Sequence, residues 1–417
     1  MKKIKINGAK ELSGTIKISG AKNSAVALIP ASLLSDGIVT IDNVPNISDI
    51  DALNEILEYL GAKVLRDNER IIIDQTNLQN KEIPEAKAKK LRASYYFMGA
   101  LLGKYKKAEI YFPGGCSIGD RPINLHLKGF EALGAKIEED GNKYLIMAEN
   151  LKGNNIYLDV PSVGATINIM LAAVKAEGQT IIDNAAKEPE IVNVATFLNN
   201  MGARITGAGT SEIRIKGVSH LSGGFTEVIP DRIEAGTYAI AGALVGNKLK
   251  IDNIIPEHIE SLILKLKEMR VPLEIYDDYM IISTSKNIKP VDIRTLGYPG
   301  FPTDLQQPMT TLLVGCNGVS VLEETVYENR FQNVKYLNEM GADIIIDETK
   351  IYVKGPRQLV GKEVIATDLR AGACLVLAGL KAEGTTIIKE VDHILRGYED
   401  IINKLKNVGA DISLLDE

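Results

Sequence analysis

A thiol stands among glycines in Pro113-Gly114-Gly115-Cys116-Ser117-Ile118-Gly119-Asp120-Arg121-Pro122. Glycine leaves a backbone free to bend and to open and close over a bound group. An arginine close to a cysteine lowers the thiol pKa and raises the thiolate fraction. The same guanidinium can grip a phosphate or carboxylate through two hydrogen bonds. The stretch therefore predicts a loop carrying a reactive cysteine. The bland reading is a turn that happens to contain one. A tyrosine-phosphatase loop is excluded, since it needs one more residue between Cys and Arg than the four found here. No Gly-x-Ser-x-Gly elbow and no phosphate-binding P-loop sequence is present.

The elements that must position this loop are set by a repeat. Leu60-Gly61-Ala62-Lys63-Val64 returns as Leu133-Gly134-Ala135-Lys136-Ile137, Met201-Gly202-Ala203-Arg204-Ile205, Met340-Gly341-Ala342-Asp343-Ile344 and Val408-Gly409-Ala410-Asp411-Ile412. A degraded copy, Met269-Arg270-Val271-Pro272, fills the gap. The spacing is roughly 70 residues, which makes six units. Each reads as a helix apolar on all sides, a short strand, an amphipathic helix ending at the recurring glycine, and two closing strands. A helix apolar all round is buried, so the helices belong inside the sheets. The fold class expected is α/β (α+β by some schemes), with two similar domains of three βαβαββ units each. The last unit lacks its final strand, and Lys3-Ile4-Lys5-Ile6 belongs to no unit of its own. The domains expected are therefore residues 21–229, and 1–20 together with 230–417. Two crossings, near residues 20 and 230, predict a hinge.

Unusual polar residues fall at equivalent places in the units. The starts of the buried helices carry Lys22-Asn23, Arg92, Ser162-Val163-Gly164, Asp231-Arg232, Asp304, and Asp368 with Arg370. The segments before the amphipathic helices carry Arg121, Glu328 with Arg330, and Arg396. Helix starts offer unpaired N–H groups and a positive dipole end, which favour anions. The set predicts a cationic cleft for a small, multiply anionic substrate. The bland reading is that these residues are caps and surface ion pairs, with Asp304 and Asp368 as plausible caps. Cys316 and Cys374, inside apolar helices, read as inert core residues.

Composition narrows the classes further. The chain has 417 residues, 45% hydrophobic and 24% charged, which fits a globular protein of at least two domains. A net charge of −6 supplies no global basic field for nucleic acid. Three widely spaced cysteines fit reduced thiols in a cytoplasm. The N-terminus lacks the apolar core of a signal peptide, and no apolar run approaches the roughly 20 residues a membrane helix needs. His126, His220, His258 and His393 show no metal-ligand spacing.

Seven segments in order resemble the bacterial UDP-N-acetylglucosamine enolpyruvyl (1-carboxyvinyl) transferases over essentially the full length. They are Ser19-Gly20-Ala21-Lys22-Asn23, Gly114-Gly115-Cys116 through Arg121-Pro122, Pro161-Ser162-Val163-Gly164-Ala165-Thr166, Pro302-Thr303-Asp304, Glu328-Asn329-Arg330-Phe331, Thr367-Asp368-Leu369-Arg370-Ala371-Gly372 and Leu395-Arg396-Gly397-Tyr398. The resemblance implies an inside-out α/β barrel in each domain, closure of the domains on the sugar nucleotide, and no metal or organic cofactor. The implied reaction moves enolpyruvate from phosphoenolpyruvate to the 3-hydroxyl of UDP-N-acetylglucosamine (UDP-GlcNAc) and releases phosphate, the first committed step of peptidoglycan precursor synthesis.

Site roles follow from the same resemblance. Lys22, Arg121 and Arg396 would hold the phosphate of phosphoenolpyruvate, Arg370 its carboxylate, with Arg330 in support and Asn23 positioning the reactants. Asp304 would accept or orient the proton of the sugar hydroxyl. Cys116 would act as the loop acid near the methylene carbon and would be alkylated by fosfomycin. Arg92, the segment Arg121, Pro122, Ile123, Asn124 and Leu125, then Ser162, Val163, Gly164, Asp304 and Val326 would bind UDP-GlcNAc. Asn124 stands where many relatives carry Asp, and Val160 where some carry Lys. The alternatives are the sister transferase acting on shikimate 3-phosphate and a non-catalytic UDP-GlcNAc-binding paralogue.

Overall fold

Five of the repeated phrases end a helix in the same way in the computed structural model, which describes residues 2–112 and 123–415. Gly61, Gly134, Gly202, Gly341 and Gly409 take φ between 93° and 108°. The Gly61 N–H donates to Glu58 and the Ala62 N–H to Leu57, and Gly409 and Ala410 repeat this with Lys406 and Leu405. This double bond closes the last helical turn and turns the chain into the next strand. The degraded copy makes the same two bonds, from Arg270 to Lys267 and Val271 to Leu266, with Arg270 at φ 61°. A left-handed backbone costs a non-glycine residue about 1–2 kcal/mol, and glycine's greater chain entropy offsets part of that difference. Arg270 is exposed. Arg270→Gly is therefore expected to raise the unfolding free energy by about 0.5–1 kcal/mol. A higher urea midpoint at unchanged slope is the expected readout; a lower midpoint would show that the arginine side chain earns its place through contacts.

The described residues divide into two compact units, 20–112 with 123–229, and 2–19 with 230–415. In the first, the buried helices are Lys22–Ala31, Tyr96–Tyr105 and Val163–Ala173. In the second they are Arg232–Val245, Gln306–Val314 and Leu369–Lys381. Alternate strand residues such as Val39, Ile41, Ile71 and Ile73 point into the same core as the first three helices. Close helix approach needs absent side chains. A Cβ at Gly99 would lie 2.3 Å from the Asn168 carbonyl oxygen, and one at Gly103 2.8 Å from that of Leu171.

One sheet pattern recurs. A parallel pair is joined by an antiparallel neighbour to an edge strand, as in Gly224–Glu227, Val39–Asp42, Arg70–Asp74 and Lys63–Asp67. Among the described residues five sheets have four strands; the sixth has three, with the parallel bridge Ile83–Ile110 in the fourth place. In the last sheet Lys3–Asn7 lies between Thr385–Lys389 and Asp411–Leu415, antiparallel to both. The architecture is thus α/β with helices inside the sheets.

The chain leaves one unit at Ser19 through a half-buried polar knot. Lys404 Nζ lies 2.6 Å from both Ser19 Oγ and Glu234 Oε1, and the Ser19 N–H donates to Glu234 Oε2 at 2.8 Å. Burial pushes the Glu234 carboxyl up to about 7, while Lys404 pulls the other way.

Candidate active site

Asp304 lies in a single 3-10 turn, Thr303–Leu305, ahead of the helix Gln306–Val314. Asp368 and Asp231 cap their helices: Asp368 accepts from the N–H groups of Arg370 and Ala371, and Asp231 from those of Ile233 and Glu234. Asp304 meets side chains from two other segments. Its Oδ1 accepts from Arg330 Nη2 at 2.6 Å and its Oδ2 from Arg370 Nη2 at 3.1 Å. The capped start of Leu369–Lys381 fixes Arg370 in the first turn, so its side chain can reach this point.

Both guanidiniums are buried, with side chains 2% and 6% exposed, while Asp304 is 26% exposed. The carboxylate is thus the accessible face of a buried cationic pair. Arg330 Nη1 donates to Thr303 Oγ1 at 2.7 Å, and its Cζ lies 5.0 Å from the Tyr327 ring. Arg370 lies 5.3 Å from the Tyr398 ring, and Tyr398 Oη is 2.9 Å from Thr237 Oγ1. Burial works against the Arg370 charge, but Tyr398, Asp304 and Asp231 outweigh it and hold the guanidinium protonated. Gln307 Nε2 reaches the Arg330 carbonyl at 3.2 Å and Asp368 Oδ2 at 3.4 Å, tying the two arginine segments together. Arg396 ends the short helix Asp392–Leu395 and is half-buried; Val326 is exposed.

The other unit holds a second set. Lys22 opens the helix Lys22–Ala31, and its Nζ lies 2.6 Å from Asp49 Oδ2 in the first turn of Ser48–Tyr59. Asn23 follows it, half-buried. Ser162 Oγ caps Val163–Ala173 by accepting from the Ala165 N–H at 3.3 Å. Gly164 sits where a Cβ would stand 2.9 Å from Tyr95 Oη and 3.0 Å from the His126 ring. Buried Asn168 donates to His126 Nδ1 at 2.9 Å and to the Tyr95 carbonyl at 2.9 Å. An amide nitrogen only donates, so Nδ1 is the acceptor and the neutral ring carries its proton on Nε2. Burial, with the Arg92 charge, lowers the His126 pKa to about 3. Arg92 opens the turn Arg92–Tyr95, and Ile123 leads into the helix Asn124–Ala132 that carries Asn124, Leu125 and His126.

The structure therefore gathers Asp304, Arg330 and Arg370, and separately groups Arg92, Ile123–Leu125 and Ser162–Gly164 around Tyr95 and His126. Cys116, Arg121 and Pro122 lie outside the described residues. Among the described residues no group of three or more His, Cys, Asp or Glu side chains could hold a metal ion. Sequence reasoning did not single out Asp49, Gln307, Thr237 or Asn168.

A family model described as EPSP synthase (3-phosphoshikimate 1-carboxyvinyltransferase) matches residues 6–405. The chain belongs to the EPSP synthase family. Within this kinship, its sequence is 55% identical over 408 residues to UDP-N-acetylglucosamine 1-carboxyvinyltransferase 2 of Listeria monocytogenes, covering 98% of this chain and 96% of that one. The protein of the same name from Bacillus subtilis is 54% identical over 413 residues, covering 99% and 96%. The enolpyruvyl transferase NikO from Streptomyces tendae superposes with a TM-score of 0.90 at 26% identity, over 99% of each chain. EPSP synthase from Acinetobacter baumannii gives 0.76 at 18% identity over the whole of both chains, which shows the shared EPSP synthase fold.

Proposed function

We propose that this protein transfers the enolpyruvyl group of phosphoenolpyruvate to the 3-hydroxyl of UDP-GlcNAc, with release of phosphate. The observation that carries the reading is that relatives named for this carboxyvinyl transfer share more than half their residues with this chain over nearly its whole length. Asp304, half-buried and accessible beside two buried guanidiniums, suits a hydroxyl that must lose its proton near an anion.

The chemistry asks for three proton movements. The sugar hydroxyl gives up its proton as its oxygen bonds to the phosphate-bearing carbon, and the methylene carbon gains a proton. Loss of a proton from the resulting methyl group then restores the double bond as the carbon–phosphate oxygen bond breaks. Asp304 takes or orients the hydroxyl proton, and Cys116 serves the methylene carbon. Lys22, Arg121 and Arg396 are assigned to the phosphate, Arg370 to the carboxylate with Arg330 behind it, and Asn23 to positioning. Arg92, Ile123–Leu125, the helix start at Ser162–Gly164 and Val326 are assigned to the sugar nucleotide. A helix start beside an arginine favours a diphosphate.

The cytoplasm is the proposed location, supported by the free thiols of Cys316 and Cys374. No helix among the described residues is long and apolar enough to cross a membrane. The test is phosphate release from phosphoenolpyruvate, expected only when UDP-GlcNAc is present. Equal turnover with shikimate 3-phosphate would overturn the reading.

A further inference from the structure

We infer that Glu324 is a positioning residue whose single carboxylate holds both the Val326 segment and the Arg330–Asp304 pair in place. The inference rests on the function proposed above, which assigns Val326 to the sugar nucleotide and Asp304 to the reacting hydroxyl.

Glu324 follows the strand Gly318–Glu323 and is 2% exposed. A buried carboxylate is costly unless its oxygens meet donors, and four converge here. Oε1 accepts from Thr295 Oγ1 at 2.8 Å, from the Val326 N–H at 2.8 Å and from the Tyr327 N–H at 3.3 Å. Oε2 accepts from Thr303 Oγ1 at 2.8 Å. The two oxygens serve different clients. On the first side, Thr295 also binds the next segment: its Oγ1 accepts from the Thr325 N–H at 2.9 Å, and its carbonyl accepts from Thr325 Oγ1 at 2.5 Å. Residues 325–327 are thus wrapped around one carboxylate oxygen and one threonine.

On the second side, a hydroxyl has one proton. Thr303 gives it to Glu324, so its lone pairs face Arg330 Nη1 at 2.7 Å. The other nitrogen of that guanidinium holds Asp304 at 2.6 Å. Direction therefore runs from Arg330 through Thr303 to Glu324, and it aims Arg330 at Asp304. Glutamine cannot accept from both arms. With its oxygen on the Val326 arm, its amide N–H₂ turns to Thr303, and that hydroxyl loses Glu324 as the acceptor of its proton. With its oxygen on Thr303, the N–H₂ meets the backbone N–H groups of Val326 and Tyr327, donor against donor.

Three variants and a rescue test this by phosphate-release kinetics, with UDP-GlcNAc affinity by calorimetry and folding by thermal melt. Thr303→Val removes the Oε2 donor together with the acceptor of Arg330 Nη1; it is expected to lower kcat by about 10–100-fold, with UDP-GlcNAc affinity within about twofold. Thr303→Ser keeps the hydroxyl and restores kcat. Thr295→Val removes one of the three Oε1 donors and the acceptor of the Thr325 N–H, and is expected to weaken UDP-GlcNAc binding by about fivefold or more, with kcat within about twofold. Glu324→Gln, where folded, does both. Parallel losses in kcat and affinity for both threonine variants would mark general loosening and overturn the inference. So would wild-type kinetics in folded Glu324→Gln or in Thr303→Val. Wild-type protein without two-substrate phosphate release would overturn the proposed function itself, and the inference with it; active wild type with unaltered variants would overturn the inference alone.

Discussion

Asp304→Asn is expected to cut phosphate release by about 10²–10⁴-fold, far more than it weakens UDP-GlcNAc binding. The side chain keeps its shape, so the change is chemical. Each Asp304 oxygen now faces a guanidinium, Arg330 at 2.6 Å and Arg370 at 3.1 Å. An amide keeps one acceptor oxygen and turns an N–H₂ toward the other arginine, donor against donor. It also has no carboxylate with which to take or steer a hydroxyl proton. Both losses bear on the reacting step, which is why the effect belongs in kcat. Phosphate assay and calorimetry on the same preparation separate the two parameters. Near-normal turnover would show that Asp304 serves only as the counter-ion of two buried arginines.

The second large effect concerns thiols. Fosfomycin at neutral pH is expected to leave one adduct, on Cys116, and to form it faster with UDP-GlcNAc present. Burial pushes the Cys316 thiol up to about 12 and the Cys374 thiol up to about 11, though hydrogen bonds from Thr311 and Asn333 pull Cys374 the other way. At pH 7 a thiol of pKa 11 is ionised to about 10⁻⁴, against about 0.03 for an ordinary cysteine. That difference alone slows alkylation by about 10²–10³-fold, before burial excludes the reagent. Both side chains are 0% exposed. Intact mass with peptide mapping reads the outcome. Label on Cys316 or Cys374 in folded protein, or none on Cys116 with the sugar nucleotide bound, would refute the assignment.

The parts legible in the sequence are those that act locally. The Gly-Ala phrase announced five helix ends because a left-handed turn has few residue choices, and the degraded copy at Arg270 keeps the bonding at a sixth. Helices apolar on all sides told of helices inside sheets. Asp368 read correctly as a cap because capping spans two or three residues. Asp304 offered the same local cue and does something else, since Arg330 and Arg370 come from 26 and 66 positions away. Asp49 was hidden for a related reason. An acidic residue in a first helical turn is ordinary, and only the fold brings Lys22 to it. Glu324 follows Glu323 at a strand end with no local cue to burial in sequence, yet four donors meet it in the fold. Gly164 looked like part of a binding motif; its missing side chain also makes room for Tyr95 and His126.

The place of Lys3–Asn7 in the middle of its sheet sets a timetable for synthesis. Asn7 meets Thr385, 378 positions later in the chain. At about 5–20 residues per second the ribosome needs roughly 20–75 s to cover that distance. The strands of the unit spanning 20–229 all come from within that range and can pair long before the end of translation. Ile4 and Ile6, wholly buried once the sheet forms, have no sheet to enter for that whole interval. The first strand made is thus among the last to be enclosed. During that wait Lys3 and Lys5 alternate with the two isoleucines, and lysine on an open strand edge discourages pairing with other chains.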